Sequence, residues 1–324
     1  MKFTRRSAFD VALLVLVNAM WAAQYAAYKV AGDALRPVTP GAWTFLLASM
    51  VLFPFLFAER LKKRHPGAET TFPHRQPGSL QSELRVEWRD VAGFLLIALV
   101  GLVPTSVFLA WGINRSSASD AAVIYLTVPI ITALLASVLV AEKMTPARWV
   151  SLAIALVGVL ILSDFDWRHL GLTSNRFLVG NILVLGSCAT SAFYNVYCKG
   201  LLRRFTPLEV LIYGYFIAVV ISFPLAGWLE GFSLASVRDY HAPTWLALLA
   251  LSGLSWGLAM VLWMFLLKRL DVSQASVSVY LLPFLGVLVS AITVHERVTA
   301  RMVFGGLVTL VGTILVTSTE PTST

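Results

Sequence analysis

The sequence predicts an all-α integral membrane protein of ten transmembrane helices, arranged as two inverted five-helix repeats. Three observations carry this reading. Of the 324 residues, 58% are hydrophobic and only 13% charged, about half the ~25% charged share of soluble domains, and the mean hydropathy is +0.78. Apolar runs long enough to cross a hydrocarbon core recur along the whole chain. A motif of the first half also returns in the second at a fixed offset. The first observation excludes a soluble enzyme, a disordered regulator and a disulfide scaffold, because so little charged surface cannot keep such a core in water.

The elements follow in order. The run 9–30 comes after Lys2, Arg5 and Arg6, is longer than the apolar region of a signal peptide, and carries Asn18 and Gln24. It is therefore expected to be an uncleaved first span. A second span, 41–58, leads into a loop at 59–89 that is rich in Pro, Gly and charge and lacks apolar periodicity. That loop is expected to be mobile and cytoplasmic. Spans at 90–112, 119–140 and 147–163 complete a first repeat, residues 1–163. Spans at 177–198, 208–229, 243–266, 272–294 and 300–318 form a second, residues 177–318. Trp88 and Trp149 on one side, with Trp43, Trp167, Trp228 and Trp245 on the other, fit interfacial aromatic belts.

Charge sets the orientation. With the N-terminus inside, 17 of the 25 Lys and Arg residues fall in inner connections, so both termini are expected in the cytoplasm and the protein in the inner membrane. The net charge of +8 and pI of 9.7 then reflect cytoplasmic loops. The basic residues are not interleaved with solvent-facing aromatics, so nucleic acid is not an expected partner; the lipid bilayer and a small-molecule substrate are. Cys188 and Cys198 stand ten helical residues apart, about 15 Å along the axis, too far for a disulfide. They also have no companion His cluster for zinc. No cofactor is implied.

The repeat is specific. Pro129, Glu142, Thr145 and Gly158 match Pro283, Glu296, Thr299 and Gly312 at an offset of 154, with Arg115/Arg269 and Ser119/Ser273 upstream. Lys29/Lys199 and Pro54/Pro224 match at an offset of 170. Five spans per repeat is an odd number, so the second copy lies upside down relative to the first. Inverted repeats of this kind are typical of secondary transporters, whose sites sit near midplane at the repeat interface.

The stretch WAAQYAAYKVAGDALRPVTPGAWTFLLASMVLFP and the two P–x12–E–x15–G segments, each with a Thr three residues after the Glu, resemble the EamA-type drug/metabolite transporter superfamily. The resemblance covers nearly the whole chain as two EamA-like repeats. It implies a ten-helix carrier with cytoplasmic ends, commonly an exporter of amino acids or other small metabolites, and not an enzyme. The loop 59–89 is longer than that family's usual connection.

Residues three, four and seven apart share a helix face. Asn18, Trp21, Tyr25, Tyr28 and Lys29 share one in the first span. In the sixth, Ser187, Thr190, Ser191, Tyr194, Tyr197 and Cys198 cluster. Thr105, Phe108 and Trp111 do so in the third, Ser252, Ser255, Trp256 and Trp263 in the eighth, and Ser273, Ser276, Tyr280 and Pro283 in the ninth. One reading is a wet, aromatic-lined cavity whose hydroxyls and amides replace a substrate's water. Its candidate substrate-binding residues are Asn18, Trp21, Tyr25, Phe108, Trp111, Tyr194, Trp256 and Tyr280. The other reading is helix packing through small and hydroxylated residues, with Trp111 and Trp263 in the belts.

Pro104, Pro129 and Pro283 mark either flexing points or static bends. Ser151, Gly158, Gly305, Gly306 and Gly312 predict close packing, within the chain or at a subunit contact, and a monomer and a homodimer both stay open. Glu142 and Glu296 are expected to orient the turn into the next span. Gly253–Gly257 matches G-x-S-x-G, but it lies mid-span without the strand–turn–helix setting a hydrolase needs. No P-loop occurs. The acids all fall at span ends, which argues against a proton relay through the bundle.

The function expected is alternating-access export of a small metabolite or amino acid. The alternatives are a nucleotide-sugar or sugar-phosphate antiporter, which would need central basic residues, and a non-transporting scaffold or receptor. The orientation makes a direct prediction: Ser79→Cys, in the 59–89 loop, reacts in intact cells only with membrane-permeant thiol reagents. Labelling by an impermeant reagent would reverse the topology.

Overall fold

A computed structural model describes residues 5–32, 34–64, 87–113, 115, 124–162, 175–286 and 299–318, and among these there is helix and no strand. The helices are α1 (Arg5–Gly32), α2 (Thr39–Arg64), α3 (88–113), α4 (Val128–Leu139), α5 (Pro146–Leu162), α6 (Asn175–Leu201), α7 (Pro207–Glu230), α8 (242–269), α9 (Val272–Gly286) and α10 (Ala300–Thr317). Among the described residues, six helices are long and apolar enough to cross a membrane, with shorter apolar stretches in α1, α4, α5 and α9. Loop positions 65–86, Trp167, Ser119, Asp120, the 287–294 part of the ninth span, His295, Glu296 and Arg297 lie outside the described residues.

In hydrocarbon, backbone polar groups must be satisfied within the segment, which is why these apolar runs are helical. Two helices nevertheless widen in the middle. α3 contains a π segment at Ile97–Leu102 and α8 one at Leu251–Ala259. Residue 97 and residue 251 are 154 apart, the offset of the sequence repeat. Pro104 stands just after the first wide segment.

Pro129 stands where a helical run breaks, after helical Ile124 and Tyr125 and the turn Leu126–Thr127. It sits in the first turn of α4, where its missing N–H has no intrahelical acceptor to lose. Pro283 follows the 3-10 turn Ser278–Tyr280 in α9.

Among the packing pairs are α1 with α8, α3 with α6, α2 with α7, α4 with α9 and α5 with α10, while α8 also packs along α2 and α6 along α4. Each of the first five joins one helix from either side of residue 170, and the partners run antiparallel. Asp10 meets Arg269 at one end of α1, for example, while Ala31 and Leu248 cluster at the other.

The α5–α10 crossing is the tightest. A Cβ on Gly158 would lie 2.5 Å from the Thr309 backbone nitrogen, and one on Gly312 would lie 2.6 Å from that of Ala155. Positions 155 and 309, like 158 and 312, are 154 apart, so the two contacts are images of each other. Thr309 Oγ1 also donates to the Ala155 carbonyl at 3.4 Å. These small residues are therefore used inside the chain, in the close-approach geometry that lipid-embedded helices favour.

Overpacking a tight site costs about 1–3 kcal/mol or more, and here the obstruction is backbone, which cannot rotate away. Gly158→Leu and Gly312→Leu are each expected to lower the thermal midpoint of the purified protein by several degrees or abolish monodisperse protein. Gly200→Ala meets nothing within 4 Å and should be neutral or stabilising by up to about 1 kcal/mol. Scanning fluorimetry and size-exclusion profiles check all three.

Candidate functional site

Aromatic and amide side chains from several helices meet inside the bundle. On α1, Trp21 packs against Trp263 of α8 with ring centroids 5.1 Å apart, tilted by 58°. The Trp263 indole N–H donates to Asn195 Oδ1 on α6 at 2.9 Å. Trp263 is only 1% exposed, so it belongs to the interior rather than to an interfacial belt. One turn below Trp21, the Asn18 amide donates to the Leu14 carbonyl at 2.8 Å and to Ser278 Oγ of α9 at 2.9 Å. Its Oδ1 is buried and has no hydrogen-bond partner.

A second group surrounds the wide segment of α8. The Trp256 indole N–H donates to the Tyr28 hydroxyl at 3.2 Å, and the Tyr215 hydroxyl donates to the Trp256 carbonyl at 2.9 Å. Phe45 of α2 stands edge-on to Trp256 at 5.2 Å and tilted to Tyr215 at 5.6 Å. π turns shift carbonyls out of the regular ladder, and here a tyrosine from a neighbouring helix takes one up.

A hydroxyl seam links α3 and α6. Thr105 and Thr190 share a 2.8 Å hydrogen bond, and Ser187 Oγ donates to the Thr105 carbonyl at 3.0 Å. Phe108 lies beside it against Gly186, where a Cβ would come within 3.2 Å of the ring.

The sequence-derived candidates thus separate by burial. Trp21, Phe108, Trp111 and Trp256 keep part of their surface. Asn18, Tyr194 and Tyr280 are sealed, at 0, 5 and 1% exposure. The Tyr280 hydroxyl donates to the Leu126 carbonyl at 2.9 Å, another pair 154 residues apart. The buried Tyr194 hydroxyl lies beside the Cys198 thiol, and its Cβ side packs over Gly101 in the wide segment of α3. Trp111 stays near the end of α3, with the Arg115 guanidinium 5.6 Å over its ring. The side chains of Tyr25 and Lys29 lie outside the described residues. Asn195, Tyr215 and Phe45 were not among the sequence candidates. Asn195 offered a signal, being with Asn181 one of two amides in the run 177–198.

Below this region lies a network that no local sequence pattern announces. The Glu142 carboxylate, 2% exposed, accepts the backbone N–H groups of Val272 and Ser273 at 2.6 and 3.0 Å. It closes the N-terminus of α9 instead of steering the turn into α5. Buried Arg148, from the start of α5, donates to Asp271 Oδ2 at 2.6 Å, with both side chains at most 1% exposed. Lys199 Nζ covers the Leu267 and Leu270 carbonyls at 2.6 and 2.7 Å. At the opposite end of the bundle, Glu230 of α7 accepts from the N–H groups of Val38 and Thr39 at 2.7 and 2.9 Å, and from Thr39 Oγ1 at 2.7 Å. It thereby caps α2. Arg60 joins α2 to α7 by bonding both Glu209 and the Tyr213 hydroxyl.

No group of His, Cys, Asp and Glu side chains able to hold a metal occurs among the described residues. Within the helix interiors the described residues include no Asp, Glu, His, Lys or Arg, and the ionic groups gather at the ends. The interior thus offers hydroxyl, amide, indole and phenol surface without net charge.

Comparison with known proteins agrees with this arrangement. The model of the EamA-like transporter family matches residues 9–164 and again 178–318. A "Probable terminal-alkyne amino-acid exporter" of Streptantibioticus cattleyicolor is 27% identical over 231 residues, covering 70% of this chain and 73% of its own. An "Uncharacterized transporter" of Archaeoglobus fulgidus is 23% identical over 308 residues, covering 95 and 97%. A crystal structure at 18% identity superposes with a TM-score of 0.72 over 95% of this chain and 96% of that one, which shows a shared fold.

Breaking a buried ion pair from one side leaves the other charge stranded, at a cost of about 3–5 kcal/mol. Arg148→Met and Asp271→Asn are therefore each expected to lower the thermal midpoint strongly. Arg148→Met combined with Asp271→Asn should lose clearly less than the sum of the two. An additive double variant would show that the two residues act independently.

Proposed function

Since the chain belongs to the EamA-like transporter family, and is thus a multi-pass membrane transporter, we propose that it exports a small neutral or zwitterionic metabolite, amino acids foremost, by alternating access. The observation that carries the substrate class is the uncharged interior built around Trp21, Trp263, Asn195 and Trp256. Indole and phenol faces cover an apolar side chain, while the Thr105–Thr190 seam and the Asn18 amide offer donors and acceptors to polar groups. An amino-acid exporter among the relatives supports the same class.

In this reading ten spans form two inverted repeats, residues 1–163 and 177–318, with both ends in the cytoplasm of an inner-membrane protein. The antiparallel pairing of helices across the halves and the shared offset of 154 support it. The π segments of α3 and α8 stand at equivalent places in the two halves, where one turn can rearrange without breaking a whole helix. Asn18, Tyr194 and Tyr280 are sealed between helices in the described state, and they line the path when α1, α6 and α9 part. Trp21, Phe108, Trp111 and Trp256 hold surface open already, and Tyr25 belongs to the same face of α1 by register. Movement is downhill or by exchange, because the helix interiors hold no titrating carboxylate among the described residues.

Proteoliposomes loaded with mixed radiolabelled amino acids test this. Efflux above that of protein-free vesicles is expected, and it should be unchanged by an imposed pH gradient and a protonophore. Loss of a buried aromatic contact is worth about a tenfold effect or more. Trp21→Ala and Trp256→Ala should therefore cut efflux about tenfold while the protein stays folded and inserted. Full activity in both would return these residues to a packing role, and accumulation that collapses with the protonophore would replace exchange by proton coupling.

A further inference from the structure

We propose that the end of the bundle where α6 and α8 terminate carries a binding site for a phosphate-bearing anion, supplied by an anionic lipid headgroup. A cavity of about 230 Å³ there is lined by Lys199, Leu202, Arg203 and Lys268. Among the described residues, three cations and one aliphatic side chain form its wall, and no carboxylate does. The site is separate from the interior aromatic groups and does not depend on what the protein carries.

The geometry makes the site more than a patch of surface lysines. Lys199 is half-buried, and its ammonium is pinned by two carbonyls at 2.6 and 2.7 Å, so it stands at the cavity without the freedom of an exposed side chain. Those carbonyls belong to the C-terminal end of α8, whose partial negative charge would otherwise repel an anion. Lys199 covers them. The carboxylates that act on Lys199 are Asp271 and Glu142, and both are committed: Asp271 to Arg148 and Glu142 to the N-terminus of α9. Arg203 and Lys268 are exposed at the rim.

Basic pockets between helices at the cytoplasmic side are where membrane proteins hold phosphate headgroups, and the distribution of Lys and Arg assigns this end to the cytoplasm. Phosphate oxygens can accept from Arg203 and Lys268 at the rim and from the one ammonium hydrogen of Lys199 that its two carbonyls leave over. Leu202, 5% exposed, gives the glycerol side of a lipid an apolar wall.

The test uses the full chain in phosphatidylcholine nanodiscs, titrated separately with phosphatidylglycerol and with inorganic phosphate, and reads the thermal midpoint. A saturable rise with phosphatidylglycerol is expected. Each basic residue near the membrane surface is worth several-fold in anion affinity. Arg203→Gln with Lys268→Gln should therefore need about ten- to thirtyfold more lipid for half the shift. Its midpoint in pure phosphatidylcholine, matching the unaltered protein, certifies the fold. Arg89→Gln, an exposed basic residue at the same end but outside the cavity, should leave the titration unchanged. A saturable response to inorganic phosphate that the double variant loses upholds the site and replaces the lipid with a free anion. No response to either anion overturns the proposal. So does an undiminished response in the double variant, or an equal loss in Arg89→Gln.

Discussion

A helix that begins inside a membrane protein leaves its first N–H groups without intrahelical acceptors, and lipid supplies none. Two buried carboxylates answer that need here, and each does so for a helix far away in sequence. Glu142 closes α9 across 130 residues, and Glu230 closes α2 across 192. A carboxylate at a helix N-terminus gains from charge-assisted hydrogen bonds and from the helix dipole together. That gain offsets the cost of burying the charge. The caps also fix which helix ends lie level with which, so the register of the two halves depends on them.

The packing continues the same theme. α5 and α10 cross at contacts related by exchange of the halves, Gly158 on Thr309 and Ala155 under Gly312. The Tyr280 hydroxyl reaches the carbonyl of Leu126, its own counterpart in the repeat. Such contacts follow the sequence offset of 154. The wide turns of α3 and α8 obey it too, beginning at residues 97 and 251. The close α5–α10 contacts and the π segments that depart from regular helix are thus both arranged in pairs.

Polar groups sort by depth. The ions sit at the ends, where Arg148–Asp271 and the Lys199 cap close one face of the bundle. Among the described residues the middle holds only neutral donors, acceptors and rings. Asn18 Oδ1 remains buried without a partner, which is costly in an apolar interior.

Hydropathy was enough to read the helical, membrane-embedded class, because every apolar run must satisfy its backbone internally whatever its neighbours. The fixed offset of 154 likewise exposed the internal repeat, since equivalent positions keep equivalent residues. Trp21 and Trp256 could be placed on polar-aromatic faces, because a face follows from the 100° turn alone. The rest waited for tertiary structure. Pro129 looks internal until the turn Leu126–Thr127 is seen to break the run just before α4. Trp263 looks interfacial until Trp21 and Asn195 enclose it. The role of Glu142 is invisible in the chain around it, because its partners are backbone groups 130 residues away, and backbone groups leave no signature in sequence. The sequence by itself determined the helices, their faces and the repeat, all consequences of local periodicity and composition. Only the folded bundle decided which helix ends meet, which faces are sealed and where the charges pair, because those depend on distances between segments that no local pattern encodes.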